Sequence, residues 1–237
     1  MQRRHFNLAS TSVFASLILA TYQQAYALSL GDLAGISNKD ASAGLKAALE
    51  KGALAAVALL GKTDGFFGNP KVQIPLPGFL QDASGLLKTL GQGKRLDELM
   101  LSINRAAEAA VPMGKDLLVS SVRAMSVADA KNILTGGETS VTTFFAEKTR
   151  TPLSGTFLPI VTRATEKVGL ANKYNEIAGT ASGFGLVKKE DANLQQYVTA
   201  KALSGLYLII GEEEKKIRQD PVGSGSAILK KVFGAMK

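Results

Sequence analysis

From Ser37 to Gly61 the sequence specifies a helix with both ends marked. Ser37-Asn-Lys-Asp40 is a hydroxyl N-cap with an acidic residue three positions on, and Gly61 is a stop. Between them lie alanine-rich turns with Leu45, Leu49, Ala56 and Leu59 or Leu60 on the inward side. So much alanine and glycine lets neighbouring helices approach closely, which predicts a buried helix. The rest of the chain repeats the pattern, with apolar residues at helical spacing between proline, glycine and capping signals.

Helices are expected over 79–90 and 94–111, the latter with Leu96, Leu99, Met100, Ile103, Ala107 and Ala110 inward. Pro112 is expected to end that helix and, as a first-turn proline, to start the next, which runs to Met125. Ser126-Val-Ala-Asp129 reads as a second capping box for a short helix to Leu134, closed by Gly136-Gly137. Further helices are expected at about 139–150, 153–168 with a kink at Pro159, 170–179, 193–219 and 225–236, with a loop at Gly183-Phe-Gly185. The predicted fold class is all-α: a single compact multi-helix domain over 28–237, without an internal repeat of fixed period.

One stretch breaks the pattern. "DGFFGNPKVQIPLPGFL", Asp64 to Leu80, is rich in proline and glycine and nearly free of charge. Val72, Ile74 and Leu76 alternate with Lys71, Gln73 and Pro75, so one edge is apolar, while the prolines exclude a sheet interior. The expected structure is an extended strap laid across the helices between the first two of them. Its buried anchors would be Val72, Ile74, Leu76, Phe66, Phe67 and Phe79, each contributing about 1.5–3 kcal/mol. A lid over a ligand cavity is the functional alternative for the same six residues.

The first 27 residues read differently. Met1-Gln-Arg-Arg-His-Phe-Asn leads into an apolar run from Leu8 to Ala20 and then Ala25-Tyr26-Ala27, a small-x-small pattern for cleavage after Ala27. That is a signal peptide, too short to span a bilayer, and it predicts a periplasmic protein. Arg3-Arg4 followed by x-Phe resembles the twin-arginine signal, and Asn7 departs from it, so the general secretory route stands beside it.

Removing 27 of 237 residues leaves 210, enough for a sizeable core. The formal charge of +8 loses two arginines and becomes +6, spread along the chain. The diffuse charge, the export signal and the lack of a recognisable module argue against nucleic-acid binding. Cysteine is absent, so packing must supply the stability without disulfides. The one histidine, His5, leaves with the signal peptide.

Without imidazole or thiol, a serine–histidine or cysteine–histidine device has no base or nucleophile, and zinc, copper and haem lack their usual ligands. "LLGKT" at 59–63 lacks the glycine of a phosphate loop, since Ala56 stands there, and a helix precedes it. No Asp-rich loop of calcium-binding spacing is found. No catalytic, cofactor or metal residue is therefore assigned, and no cofactor is expected.

The best polar constellation lies on two helices. Asn104 and Glu108 share a face, with Arg105 one turn from Glu108. On the long C-terminal helix, Glu213 and Glu214 continue the apolar stripe of Leu203, Leu206, Tyr207, Ile210 and Ile217. Glu212 can pair with Lys216, and Glu214 with Arg218. The expectation is that Asn104, Arg105 and Glu108 meet Glu213, Glu214 and Arg218 in one partly buried network. Solvated helix faces, a structural network or a carboxylate site for a ligand or divalent ion are the three readings of that set.

The blocks "ASAGLKAALEKG", "ALLGKTDGFFGNPKVQIPLP", "INRAAEAAVP", "PIVTRATEKVG", "YVTAKALSGLYLIIGEEEKKIRQDP" and "ILKKVFG" resemble the bacterial family catalogued as domain of unknown function 4197, from about Leu33 to Phe233. The resemblance implies export and a helical fold, and brings no active site with it. The leading functional reading is non-catalytic binding of a hydrophobic or amphipathic ligand, such as a lipid-like molecule, or of an envelope partner, between the helices beneath the strap. A glutamate-based, Mg- or Ca-dependent enzyme and a purely structural envelope protein are the alternatives. The tail, 226–237, with Ile228, Leu229, Val232 and Phe233 beside Lys230, Lys231 and Lys237, either docks on its own domain or lies on an anionic membrane.

Overall fold

The computed structural model describes residues 35–128, 130–170, 172–174, 177 and 194–236. Residues 1–27, where the signal peptide is expected, and Gly183-Phe-Gly185 lie outside the described residues, as does half of the helix expected over 170–179. The described residues form helices and no strand, so the chain is all-α. In chain order these are α1 (Asn38–Leu60), α2 (Gly78–Thr89), α3 (Gly93–Met113), α4 (Lys115–Ala124), α5 (Ala130–Leu134), α6 (Ser140–Lys167), α7 (Leu194–Gln219) and α8 (Ala227–Gly234).

Helix α1 is the hub, packed against α7, α8, α4 and α5, while α6 lies along α7 and α3. Its alanines and glycines make this possible. A Cβ at Gly52 would stand 3.0 Å from Ile210 of α7, and one at Gly44 2.7 Å from Val232 of α8. Ser37 caps α1 through a hydrogen bond from the Asp40 amide, and Gly61 ends it, as the sequence indicates.

Two helix boundaries differ from the sequence reading. Pro112 does not end α3; the helix continues to Met113 and turns at Gly114. A proline in the last turn forfeits a single backbone bond, whereas Gly114 sits so close to Phe157 of α6 that a side chain there would overlap the ring. The two helices expected over 139–150 and 153–168 are one continuous helix, α6, which runs through Pro152 and Pro159. The two prolines are seven residues apart and both exposed, so they share a wet face where water can serve the carbonyls they orphan.

The strap between α1 and α2 has neither helix nor strand from Asn69 to Pro77. Phe66, Val72 and Ile74 are buried, Phe67 and Leu76 half-buried, and the Phe79 side chain lies outside the described residues. Phe66 rests on α7 at Gly205, where a Cβ would come within 2.8 Å of its ring. The apolar edge of the strap thus fills the space beneath it. At the other end of the chain, Leu229, Val232 and Phe233 of α8 are buried in the same core, and Lys231 pairs with Asp40 at 2.9 Å.

Candidate functional site

An extended segment outside any sheet leaves its amides and carbonyls without a ladder, and buried ones need side-chain partners. Helix α3 supplies them. Glu108 Oε1 accepts the Phe66 and Phe67 amides at 3.0 and 3.1 Å. Asn104 pairs with Ile74 in both directions, its Oδ1 accepting the amide and its Nδ2 donating to the carbonyl, each at 2.8 Å. From α7, the Tyr197 hydroxyl donates to the Pro75 carbonyl at 2.9 Å.

Arg105 completes this clamp. It donates to Glu108 Oε2 at 2.6 Å and to Asp64 Oδ1 at 2.8 Å. The bond to Glu108 is the main reason its guanidinium holds its proton more tightly than usual. Asp64 itself sits at φ 64°, the left-handed turn that starts the strap.

Glu214 of α7 does the same work elsewhere. Its oxygens accept the Val141 and Thr142 amides at 3.1 and 2.8 Å, and the Thr142 hydroxyl at 2.7 Å. These are orphan donors of the first turn of α6, whose own N-cap, Thr139, makes no side-chain cap. The carboxylate therefore caps α6 from another helix, where the macrodipole favours negative charge. Arg218 grips Glu214 Oε1 through Nε and Nη2 at 3.0 and 2.8 Å, and also donates to the Leu134 carbonyl and Ser140 hydroxyl.

The six residues expected in one network thus stand in two clamps and a surface pair. Glu213 pairs with Lys216 at the surface, and Glu212 reaches Lys71 on the strap, in place of the expected Glu212–Lys216 pair. The reason is that each buried carboxylate takes up amides that nothing else satisfies. Both oxygens of each carboxylate are occupied by donors of the same chain. Among the described residues no three His, Cys, Asp or Glu side chains gather at a point where they could hold a metal ion.

Open space lies elsewhere. A cleft of about 640 Å³ opens between the end of α4 with its following loop and α6. Ala124, Met125, Ala128 and Phe144 give it an apolar lining, and Ser121, Ser126 and Thr149 bring hydroxyls. Lys148 stands at the exposed edge with its ammonium 5.7 Å from the Phe144 ring centroid. No carboxylate of the described residues pairs with it. A second groove, about 630 Å³, runs between α6 and α7 past Thr143, Glu147, Arg150 and Leu208.

The model of a family described as protein of unknown function (DUF4197) matches residues 35–234. The chain belongs to this family. Neither the curated proteins nor the solved structures offer a match. Membership in DUF4197 brings no substrate, and roles must come from the side chains themselves. Sequence reasoning found the carboxylates of this family member and the Glu214–Arg218 pair, and missed the backbone amides they accept from. Asp64, Ser140 and Thr142 carried no motif, and the cleft at Lys148 arises only when α4 and α6 are brought together.

Proposed function

We propose that this chain is a non-catalytic binding protein of the cell envelope, exported by the signal in residues 1–27 and acting as one helical domain. Its ligand is amphipathic, with an anionic head held at Lys148 and an apolar part laid on Phe144 and Met125. The observation that carries this reading is an ammonium without a carboxylate partner at the edge of an apolar cleft, of the volume that small-molecule sites occupy. The space beneath the strap is filled by Phe66, Val72 and Ile74, so the α4–α6 cleft replaces it as the ligand's place. The saturation of Glu108 and Glu214 favours binding over carboxylate catalysis.

The reading agrees with the absence, among the described residues, of any helix long and apolar enough to cross a membrane. The tail helix buries its apolar stripe in the core, which leaves Lys230 and Lys231 as its outward groups. Titration with a fluorescent fatty-acid probe tests the proposal. Saturable binding is expected, weakened at least about tenfold, or 1.4 kcal/mol, by Lys148→Glu. Equal binding of a cationic amphiphile of the same chain length, or indifference to Lys148→Glu, would overturn it.

A further inference from the structure

The opposite side of α6 from the ligand cleft carries a second unexplained pair. Glu147 and Arg150 are both exposed and one turn apart, yet they do not pair. Arg150 turns away, donating to the Ser204 hydroxyl at 3.1 Å with its guanidinium 4.9 Å from the Tyr207 ring centroid. The Glu147 carboxylate makes no hydrogen bond or ion pair with any described residue. Beside them Leu208 of α7 is 44% exposed, a large apolar side chain facing a groove of small residues.

We propose that this α6/α7 face is a two-fold interface between two copies of the chain. A two-fold axis across α6 midway between positions 147 and 150 lays the helix antiparallel on its copy. Glu147 of each copy then meets Arg150 of the other, so the two charges left unpaired in one chain are satisfied twice in the pair. The same axis sets Thr143 opposite Ser154 and Ala146 opposite Thr151, small residues that allow the backbones to approach. Leu208 on α7 is covered at the flank. A foreign partner would need the same alternation of charge, whereas a second copy supplies it by symmetry.

Sedimentation equilibrium of the purified protein over micromolar to hundreds of micromolar concentrations tests this. A reversible monomer–dimer equilibrium is expected, weakening as salt rises. Glu147→Arg and Arg150→Glu should each weaken self-association at least about tenfold. Mixing the two variants should restore association, because the mixture places opposite charges across the axis at both pairs. Glu147→Arg breaks no hydrogen bond or ion pair with a described residue, so it carries the test alone if Arg150→Glu perturbs the fold, and Leu208→Asp should act in the same direction. A monomer at every concentration, or a dimer indifferent to both charge variants, overturns the proposal; so does a mixture no tighter than the single variants.

Discussion

The strap and the start of α6 are unlike as backbone, one an extended proline-rich run and the other a regular helix, yet the protein secures them in the same way. A glutamate from a neighbouring helix accepts two consecutive amides, and an arginine of the glutamate's own helix pairs with the same carboxylate. At the strap the arginine is Arg105, three residues before Glu108, with side chains 30% and 5% exposed. At α6 it is Arg218, four residues after Glu214, at 14% and 2%. The second clamp is drier, has one more hydroxyl donor and faces a helix dipole; the first shares its arginine with the exposed Asp64. Burial and the shape of the field, more than the inventory of groups, should therefore set how much each clamp contributes.

Removal of Glu214 is the strongest attempt to break the parallel. Glu214→Ala leaves the α6 amides and the Arg218 charge without their acceptor in a nearly dry site, and should cost about 3–5 kcal/mol in urea unfolding. Glu108→Ala should cost less, about 2–4 kcal/mol, since water can reach Arg105 and Asp64 remains its partner. The two should also differ in kind. Loss of Glu108 should expose the Phe66 and Phe67 amides to hydrogen exchange while α6 stays protected, and loss of Glu214 should loosen the first turn of α6. Equal costs with global loss of protection in both would refute the distinction.

Asn104 sharpens the comparison, because it secures the strap without charge. Asn104→Leu keeps the volume and removes both bonds to Ile74, at a cost of about 1–3 kcal/mol. Exchange should quicken at the Ile74 amide and leave those of Phe66 and Phe67 unchanged. If all three amides opened together, the strap would be one cooperative unit and not two separately pinned points.

Much of this was legible in the sequence and some was not, for identifiable reasons. The caps at Ser37 and Gly61 and the period of α1 and α7 are local, and local patterns locate helices. Pro152 misled because proline's cost depends on whether the orphaned carbonyl meets water, which is a property of the face it lies on. The strap's apolar edge was readable from alternation at Val72, Ile74 and Leu76. That Glu108 and Glu214 would serve backbone amides, and not each other, was unreadable: the amides of Phe66 and Val141 carry no sequence signature, and only the packing of α3 and α7 brings the carboxylates to them.

Asp64 gives the smallest and most discriminating effect. It makes an exposed ion pair with Arg105, worth under about 1 kcal/mol, and occupies a left-handed backbone conformation that costs an L-residue about 1 kcal/mol. Asp64→Gly removes both the pair and the strain, so stability should shift by less than about 0.5 kcal/mol. Asp64→Asn keeps a residue that tolerates the conformation and removes only the charge, so it should be the less stable of the two by a few tenths of a kcal/mol in low salt. The cost of Asp64→Asn relative to the unsubstituted chain should shrink in high salt, where the pair it removes is already screened. A cost for Asp64→Gly as large as that for Glu108→Ala would mean that the exposed end of the strap clamp governs the buried one, and the contrast between a wet clamp and a dry one would fail.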